Sequence, residues 1–320
     1  MNDKIRKMVH DDTQCLADPI TCDAAIKGKK FSGQSVHRLT GLLDEVASVW
    51  HARTLSDPMD GRLMSDTRVL IVVPTLGQRL EYLQESLRSI RQQVVAVDIV
   101  VVVPESSRAA RRLATSEGAE VVDDPGSLAA AINVGVARRR VGHEFVSWLN
   151  DDDILEPNSL HKVVDALDRE PSAAVAFGAC RYIDRTGREI FVSKAGGVAS
   201  RILGWGPDLI PQPGMLVRAK DWEAVGGLDE TYKLAFDLDF LLRVKSEGKL
   251  ISVKFIVSSF RWHPDSLTVD NRDTNFRESE RAKRAQLKPW QRNLSFLWEW
   301  PVRVIVRAAA WRVSRLATAN

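Results

Sequence analysis

The chain has 320 residues, 44% of them hydrophobic, with 45 basic and 42 acidic side chains and a formal charge of +3. That length exceeds the roughly 100–150 residues of the commonest domain size, so one large α/β domain with extensions, or two domains, is expected, and the near balance of charge excludes a generally cationic nucleic-acid binder. The balance is uneven along the chain: from Arg281 to Asn320 nine Lys or Arg stand against one acid, Glu299, so this end carries +8 and the first 280 residues carry −5. Cys15, Cys22 and Cys180 form no CxxC pair and no even disulfide set, which points to a reducing compartment. Met1 to Lys30 mixes acids with basics and has no apolar run of signal-peptide or membrane-span length, so a cytoplasmic location is expected.

Residues 1–66 read as an extension with one amphipathic helix, Val36 to Val49, in which Leu39, Leu42, Leu43, Val46 and Val49 recur at helical spacing. At Arg68 the pattern changes to Val69-Leu70-Ile71-Val72-Val73, a β-branched run suited to burial on both faces of a parallel sheet and ended by Pro74. A helix carrying Leu80, Leu83, Leu87 and Ile90 on one face follows, then a second strand, Ile99 to Val103, closed by Pro104. Next come a helix from Arg108 to Glu117, a strand at Glu120 to Val122, and a turn at Asp123-Asp124-Pro125-Gly126. Ser127 is suited to cap a helix running to Arg138. The fourth strand, Phe145 to Asn150, ends in Asp151, Asp152 and Asp153. Strands alternating with helices predict a doubly wound sheet, whose ligands bind at the carboxyl ends of the strands, where these aspartates lie.

Like charges this close raise one another's pKa values unless a cation sits among them, so the triplet suits Mg²⁺ or Mn²⁺ holding a phosphate; alternatively it is an acidic turn in which Asp153 caps a helix. The first strand is followed by Pro74-Thr75-Leu76-Gly77-Gln78-Arg79, not by Gly-x-Gly-x-x-Gly, and there is no Gly-Lys-Ser/Thr loop. A nucleotide would therefore depend on metal, helix N-termini and individual side chains.

From about Arg68 to Thr268 the order of motifs resembles the family 2 glycosyltransferases of the GT-A fold. The pieces are Pro74-Thr75 at the first strand's end, Asn133-Val134-Gly135 on a helix, and Leu149-Asn150-Asp151-Asp152-Asp153-Ile154-Leu155-Glu156-Pro157 where the family has Asp-x-Asp. They continue with a hairpin from Gly178 to Gly187, Ile210-Pro211-Gln212-Pro213-Gly214, Gly226-Gly227-Leu228-Asp229-Glu230, Phe236-Asp237-Leu238-Asp239 to Arg243, and Arg261-Trp262-His263-Pro264. The resemblance implies an α/β, Rossmann-like, mostly parallel central sheet flanked by helices, with residues 67–270 as the catalytic domain between extensions 1–66 and 271–320. It implies a metal contact through Asp151 with Asp153, or through Asp152 alone, with Asp151 near the ribose. Pro74, Thr75, Arg79, Glu105 and Asn133 would join the donor side, and Gln212, Pro213, Gly214 and Asp239 the acceptor side. His263 would ligand the metal or bond the diphosphate, and Asp237 would be the base that takes the acceptor's proton.

Other readings stand beside these. Asp237 also suits a helix cap, and Asp239 an i, i+4 pair with Arg243. The sequence departs from the family at Val103-Pro104-Glu105-Ser106, where many members have Asp-Asp-Gly-Ser, so uridine does not follow, and at Phe236, where a Glu often precedes the base.

Pro301 is placed to begin a helix with Val302, Ile305, Val306, Ala309, Val313 and Leu316 on one arc and Arg303, Arg307, Arg312 and Arg315 on the other, with Trp298, Trp300 and Trp311 nearby. Such a helix either lies on an anionic membrane or docks on the catalytic domain. The function expected is an inverting, Mg²⁺- or Mn²⁺-dependent hexosyl or deoxyhexosyl transfer from a nucleotide-diphosphate sugar to a glycan or lipid-linked acceptor, in the cytoplasm or on the membrane's cytoplasmic face. A silent sugar-binding scaffold is the alternative. A metal-dependent phosphohydrolase is a weaker one, since its nucleophilic Asp would need a following Thr where Asp153 precedes Ile154-Leu155.

Overall fold

A computed structural model describes residues 67–194, 196–262 and 272–318. The expected helix Val36 to Val49 and His263 lie outside the described residues. The first strand, β1 (Val69–Pro74), is buried along its whole length and pairs in parallel with β2 (Val97–Val103) on one side and β4 (Phe145–Trp148) on the other. Strand β3 (Glu120–Asp123) extends this parallel block beyond β2. The intervening helices α1 (Leu80–Arg91), α2 (Arg108–Ser116) and α3 (Leu128–Val136) are the crossovers that parallel pairing requires. Ser127 accepts a hydrogen bond from Ala130 N at 3.3 Å and caps α3, which ends at Val136, two residues short of the sequence expectation.

Because side chains alternate along a strand, β1 divides its residues between two cores. Leu70 and Val72 join Val100, Val102, Trp148 and the α3 residue Ile132, whereas Val69, Ile71 and Val73 join Leu83, Leu87 and Phe145. Each such aliphatic side chain fully buried contributes about 1.5–3 kcal/mol. On the first face α3 approaches β1 so closely that a Cβ at Gly135 would stand 2.4 Å from Val72 Cγ1.

Beyond β4 the sheet changes character. The strands β5 (Ile154–Leu155), β6 (Ala173–Ile183), β7 (Glu189–Ser193), β8 (Leu216–Arg218) and β9 (Lys249–Arg261) complete one sheet of order β3-β2-β1-β4-β8-β6-β9-β5, with β7 on β6. Here β8 pairs antiparallel with β4 and β6, β5 antiparallel with β9, and β6 parallel with β9. The sheet is therefore parallel in its first half and mixed in its second, because the β6–β7 hairpin and the two-residue β5 need no helical crossover. No helix follows Asp153: the chain enters β5, and α4 (Leu160–Arg169) starts only after Asn158, which takes a positive φ of 50°. The remaining helices are α5 (Gly196–Ile202), α6 (Ala219–Ala224), α7 (Phe236–Val244), α8 (Arg272–Ala285), α9 (Pro289–Leu294) and α10 (Phe296–Thr318). Helix α10 begins before Pro301 and holds that proline inside it. No helix among the described residues is long and apolar enough to cross a membrane.

Candidate active site

At the carboxyl end of β1 the chain turns back on itself. Thr75 N donates to Val102 O at 2.9 Å, and Gly77 takes a φ of +73°, from which its N–H reaches Thr75 Oγ1 at 2.9 Å. Only glycine fits, since a Cβ there would stand 2.7 Å from Ser107 Cβ. The turn aims Thr75 Oγ1 at the end of β4, where it donates to Asp151 Oδ2 at 2.5 Å. Arg79, just before α1, spreads its guanidinium over two carboxylates: Nη2 lies 3.0 Å from Asp151 Oδ1 and Nη1 2.9 Å from Asp152 Oδ2. Pro74, Thr75, Arg79, Asp151 and Asp152 thus meet at one place.

Asp153 faces elsewhere. It is fully buried, accepting Arg261 N at 3.1 Å and Asn150 Nδ2 at 3.2 Å. Burial first, then the Asp152 charge, pushes its carboxyl well above the usual range against those two hydrogen bonds. Arg261 also donates from Nε to Asp152 O at 3.0 Å and from Nη2 to Glu85 Oε2 at 2.6 Å, and its guanidinium lies 4.2 Å from the centre of the Tyr82 ring. It ties the triplet's main chain to α1 and β9. In the sequence Arg261 is merely the residue before Trp262; the signal available was a lone arginine ending a β-rich run.

Asp237 lies in the first turn of α7, half-buried, with Oδ1 accepting Leu238 N at 2.8 Å. Crowding by protein atoms, then the Asp208 carboxylate, pushes its carboxyl up to about 7. Asp208 precedes Ile210, whose N–H it accepts at 3.1 Å, and its carboxyl is raised to about 6 by desolvation against that bond and the Lys283 charge. Tyr182 lies on β6, and its phenol is raised chiefly by desolvation, with the Asp208 and Asp153 carboxylates adding to the shift. Its ring stacks on Phe191 at 4.3 Å and packs on Phe260 at 5.3 Å. Helix α8 reaches in twice. Buried Lys283 donates from Nζ to Gly206 O at 2.6 Å, and Glu278 accepts the main-chain N–H of Lys233, Leu234 and Ala235 at 2.8–3.1 Å, just ahead of α7. Asp208, Lys283 and Glu278 escaped sequence reasoning, because α8 meets this loop only through the tertiary fold.

Other predicted residues have structural tasks. Gln212 Nε2 donates to Trp148 O at 2.6 Å, holding the end of β4. Pro213 and Gly214 are buried beneath it, where Ser258 Oγ donates to Pro213 O at 2.6 Å and Gly214 takes a φ of +77°. Asn133 is committed at both ends of its amide, accepting Leu228 N at 2.9 Å and donating to Leu228 O at 2.9 Å and Glu230 Oε1 at 3.0 Å. It fastens α3 to the Gly226-Gly227 turn. Asp239 is bound by Arg243 Nε at 2.8 Å, and that guanidinium also reaches Val225 O and Gly227 O. Glu105 is exposed on the rim beyond β2.

Among the described residues no three His, Cys, Asp or Glu side chains converge to hold a metal ion. Asp151 and Asp152 nevertheless fit a hard divalent cation. They present carboxylate oxygens at the carboxyl end of β4, the hard donors such a cation takes, and both bond the Arg79 guanidinium.

Residues 70–214 match the family "Glycosyl transferase family 2". An uncharacterized glycosyltransferase of Rickettsia conorii is 24% identical over 212 residues, 62% of this chain and 35% of that protein. The O-antigen biosynthesis protein RfbC of Myxococcus xanthus is 28% identical over 197 residues, 57% of this chain and 15% of that protein. The chain thus spans well under half the length of either relative. Among solved structures, the mannosyltransferase PcManGT of Pyrobaculum calidifontis, in complex with GDP-Man and Mn²⁺, superposes with a TM-score of 0.53 at 17% identity over 83% of this chain and 82% of that one. S. aureus TarS 1–349 in complex with UDP does so with a TM-score of 0.51 at 16% identity, over 71% of this chain and 69% of that one. At such identities the likeness speaks for the fold alone. Over residues 70–214 the chain is similar to glycosyl transferase family 2, and its fold is that of the GT-A glycosyltransferases.

Proposed function

We propose that the chain transfers a sugar from a nucleotide-diphosphate donor to an acceptor hydroxyl with inversion at the anomeric carbon. The observation that carries this is the pairing of two carboxylates under one guanidinium at the end of β4; a second acid with a raised pKa, Asp237, opens α7. Residues 67–270 form the transferase core in this reading, and the family's structural neighbours with GDP-Man or UDP support the donor class. Asp151 and Asp152 would hold Mg²⁺ or Mn²⁺, which when bound supplies Lewis-acid neutralisation of the diphosphate.

The chain's own residues do the rest. Arg79 orients both carboxylates and offers N–H groups to phosphate oxygens, while Thr75 fixes Asp151. Asp237 takes the proton from the acceptor oxygen as that oxygen attacks the face opposite the leaving diphosphate, so one displacement inverts the centre. A carboxyl pushed up to about 7 is a stronger base than an ordinary aspartate. Asp208 sustains that basicity by repulsion, and Glu278 fixes the entry to α7.

Incubation with a panel of nucleotide sugars and Mn²⁺ tests the proposal. Nucleoside diphosphate release that disappears in both Asp152→Ala and Asp237→Asn supports it. Free phosphate without sugar transfer would identify a hydrolase, and donor binding without turnover a scaffold.

A further inference from the structure

Helix α10 lies on the protein with its charged face inward. Arg284 Nε is 2.7 Å from Glu299 Oε1, Arg303 Nε is 3.1 Å from Glu280 Oε1, and Arg307 Nη2 is 2.6 Å from Asp273 Oδ1, so ion pairs face α8. The outward side carries Phe296, Leu297, Trp300, Val304 and Ile305, preceded by Leu294 of α9, and these side chains are 43–69% exposed. The sequence wheel grouped Ile305 with Val302 and Val306; the structure half-buries the latter two and sets Ile305 with an earlier stripe instead. Single exposed apolar residues are ordinary, but Leu297, Trp300 and Val304 at helical spacing form a continuous band. A helix packed only against its own protein would turn that band inward.

We propose that α9 and α10 form a surface that binds anionic phospholipid, with the helix lying in the plane of the membrane interface. Charge selects this occupant: the segment from Arg281 carries +8 in sequence, and while Arg284, Arg303 and Arg307 pair with acids, Lys288 at the cap of α9 and Arg292 within it are exposed ahead of the apolar band. Trp290 and Trp300, 62% and 69% exposed, have the apolar body and polar tip that suit the headgroup boundary. No helix among the described residues is long and apolar enough to cross a membrane, so in this proposal α10 lies along the interface. The inference is independent of the transfer chemistry, because none of these residues touches the site.

Co-sedimentation of the full chain with vesicles tests it. The chain is expected to pellet with phosphatidylcholine vesicles in which about a third of the lipid is phosphatidylglycerol, and at least about tenfold less with phosphatidylcholine alone. The triple change Leu297→Glu, Trp300→Glu, Val304→Glu, confined to exposed positions, is expected to abolish pelleting and leave Tm and donor turnover unchanged. If that variant fails to fold, Lys288→Glu with Arg292→Glu leaves the apolar band intact and is expected to weaken binding to the anionic vesicles by a similar factor. Absence of pelleting, equal pelleting of wild type and variants, or light scattering that reveals a dimer broken by the triple change without vesicle binding would overturn the proposal.

Discussion

In the proposed reaction Asp237 and Arg79 carry the charges that matter most, and both are testable by those charges. For Asp237, a carboxyl pushed up to about 7, kcat/KM is expected to rise with pH through an apparent pKa near that value. Asp208→Asn removes the second cause of the shift, so the acid limb should move to lower pH, which a pH–rate profile reads directly. Stability has the opposite sign. Between about pH 4, where the unfolded carboxyl ionises, and pH 7 the folded protein retains a proton the unfolded chain has lost, so each step upward weakens the fold. Asp237→Asn should therefore raise Tm at pH 8 more than at pH 4, while lowering turnover by about 10²–10⁴. For Arg79, replacement by Gln removes a guanidinium bonded to both Asp151 and Asp152, at a cost of about 1–3 kcal/mol. Millimolar Mn²⁺ should restore much of the lost Tm in Arg79→Gln; a variant whose Tm ignores Mn²⁺ would speak against cation binding there.

At the scale of elements, the site depends on how α7 is entered. Its N-cap, Ala235, has no side-chain hydrogen bond to offer, and the preceding N–H groups of Lys233, Leu234 and Ala235 converge instead on Glu278 from α8. A carboxylate accepting several main-chain donors at a helix start acts as a cap supplied from a distance, and its own pKa is held below the usual range against burial by those three bonds. Glu278→Ala should cost about 1–3 kcal/mol and lower kcat more than it raises KM for the donor, whereas Glu278→Gln, which keeps one acceptor oxygen, should recover part of both. This dependence explains what the sequence could and could not reveal. The parallel half, β1 to β4, was legible because uninterrupted runs such as Val69 to Val73 have one physical explanation, burial on both faces. Ser127 as a cap and Asp239 with Arg243 as a local pair were legible because both ends lie within four residues. The inward turn of Asp153 toward Arg261, 108 residues away, and the docking of Glu278 some 43–45 residues after its donors have no local pattern.

At the scale of the whole molecule, the contrast is between a core buried by apolar surface and a C-terminal helix attached by charge. Sheet and flanking helices bring together side chains such as Trp148, Phe177 and Phe240, none more than 1% exposed, with Trp148 edge-on to Phe240 at 6.2 Å. Helix α10 instead passes beside β7 and is held to α8 by ion pairs whose arginines are 39–57% exposed, each contributing about 0.2–1 kcal/mol in water. Exposed pairs are screened when the Debye length falls to about 3 Å at 1 M salt, while apolar burial is not. Brief trypsin digestion is therefore expected to release the segment after Arg292 several times faster in 1 M NaCl than at low salt, leaving a fragment whose Tm lies within a few degrees of the intact chain. Equal cleavage rates at the two salt concentrations, or a large drop in the fragment's Tm, would mean that α10 is part of the core rather than a charged appendage to it.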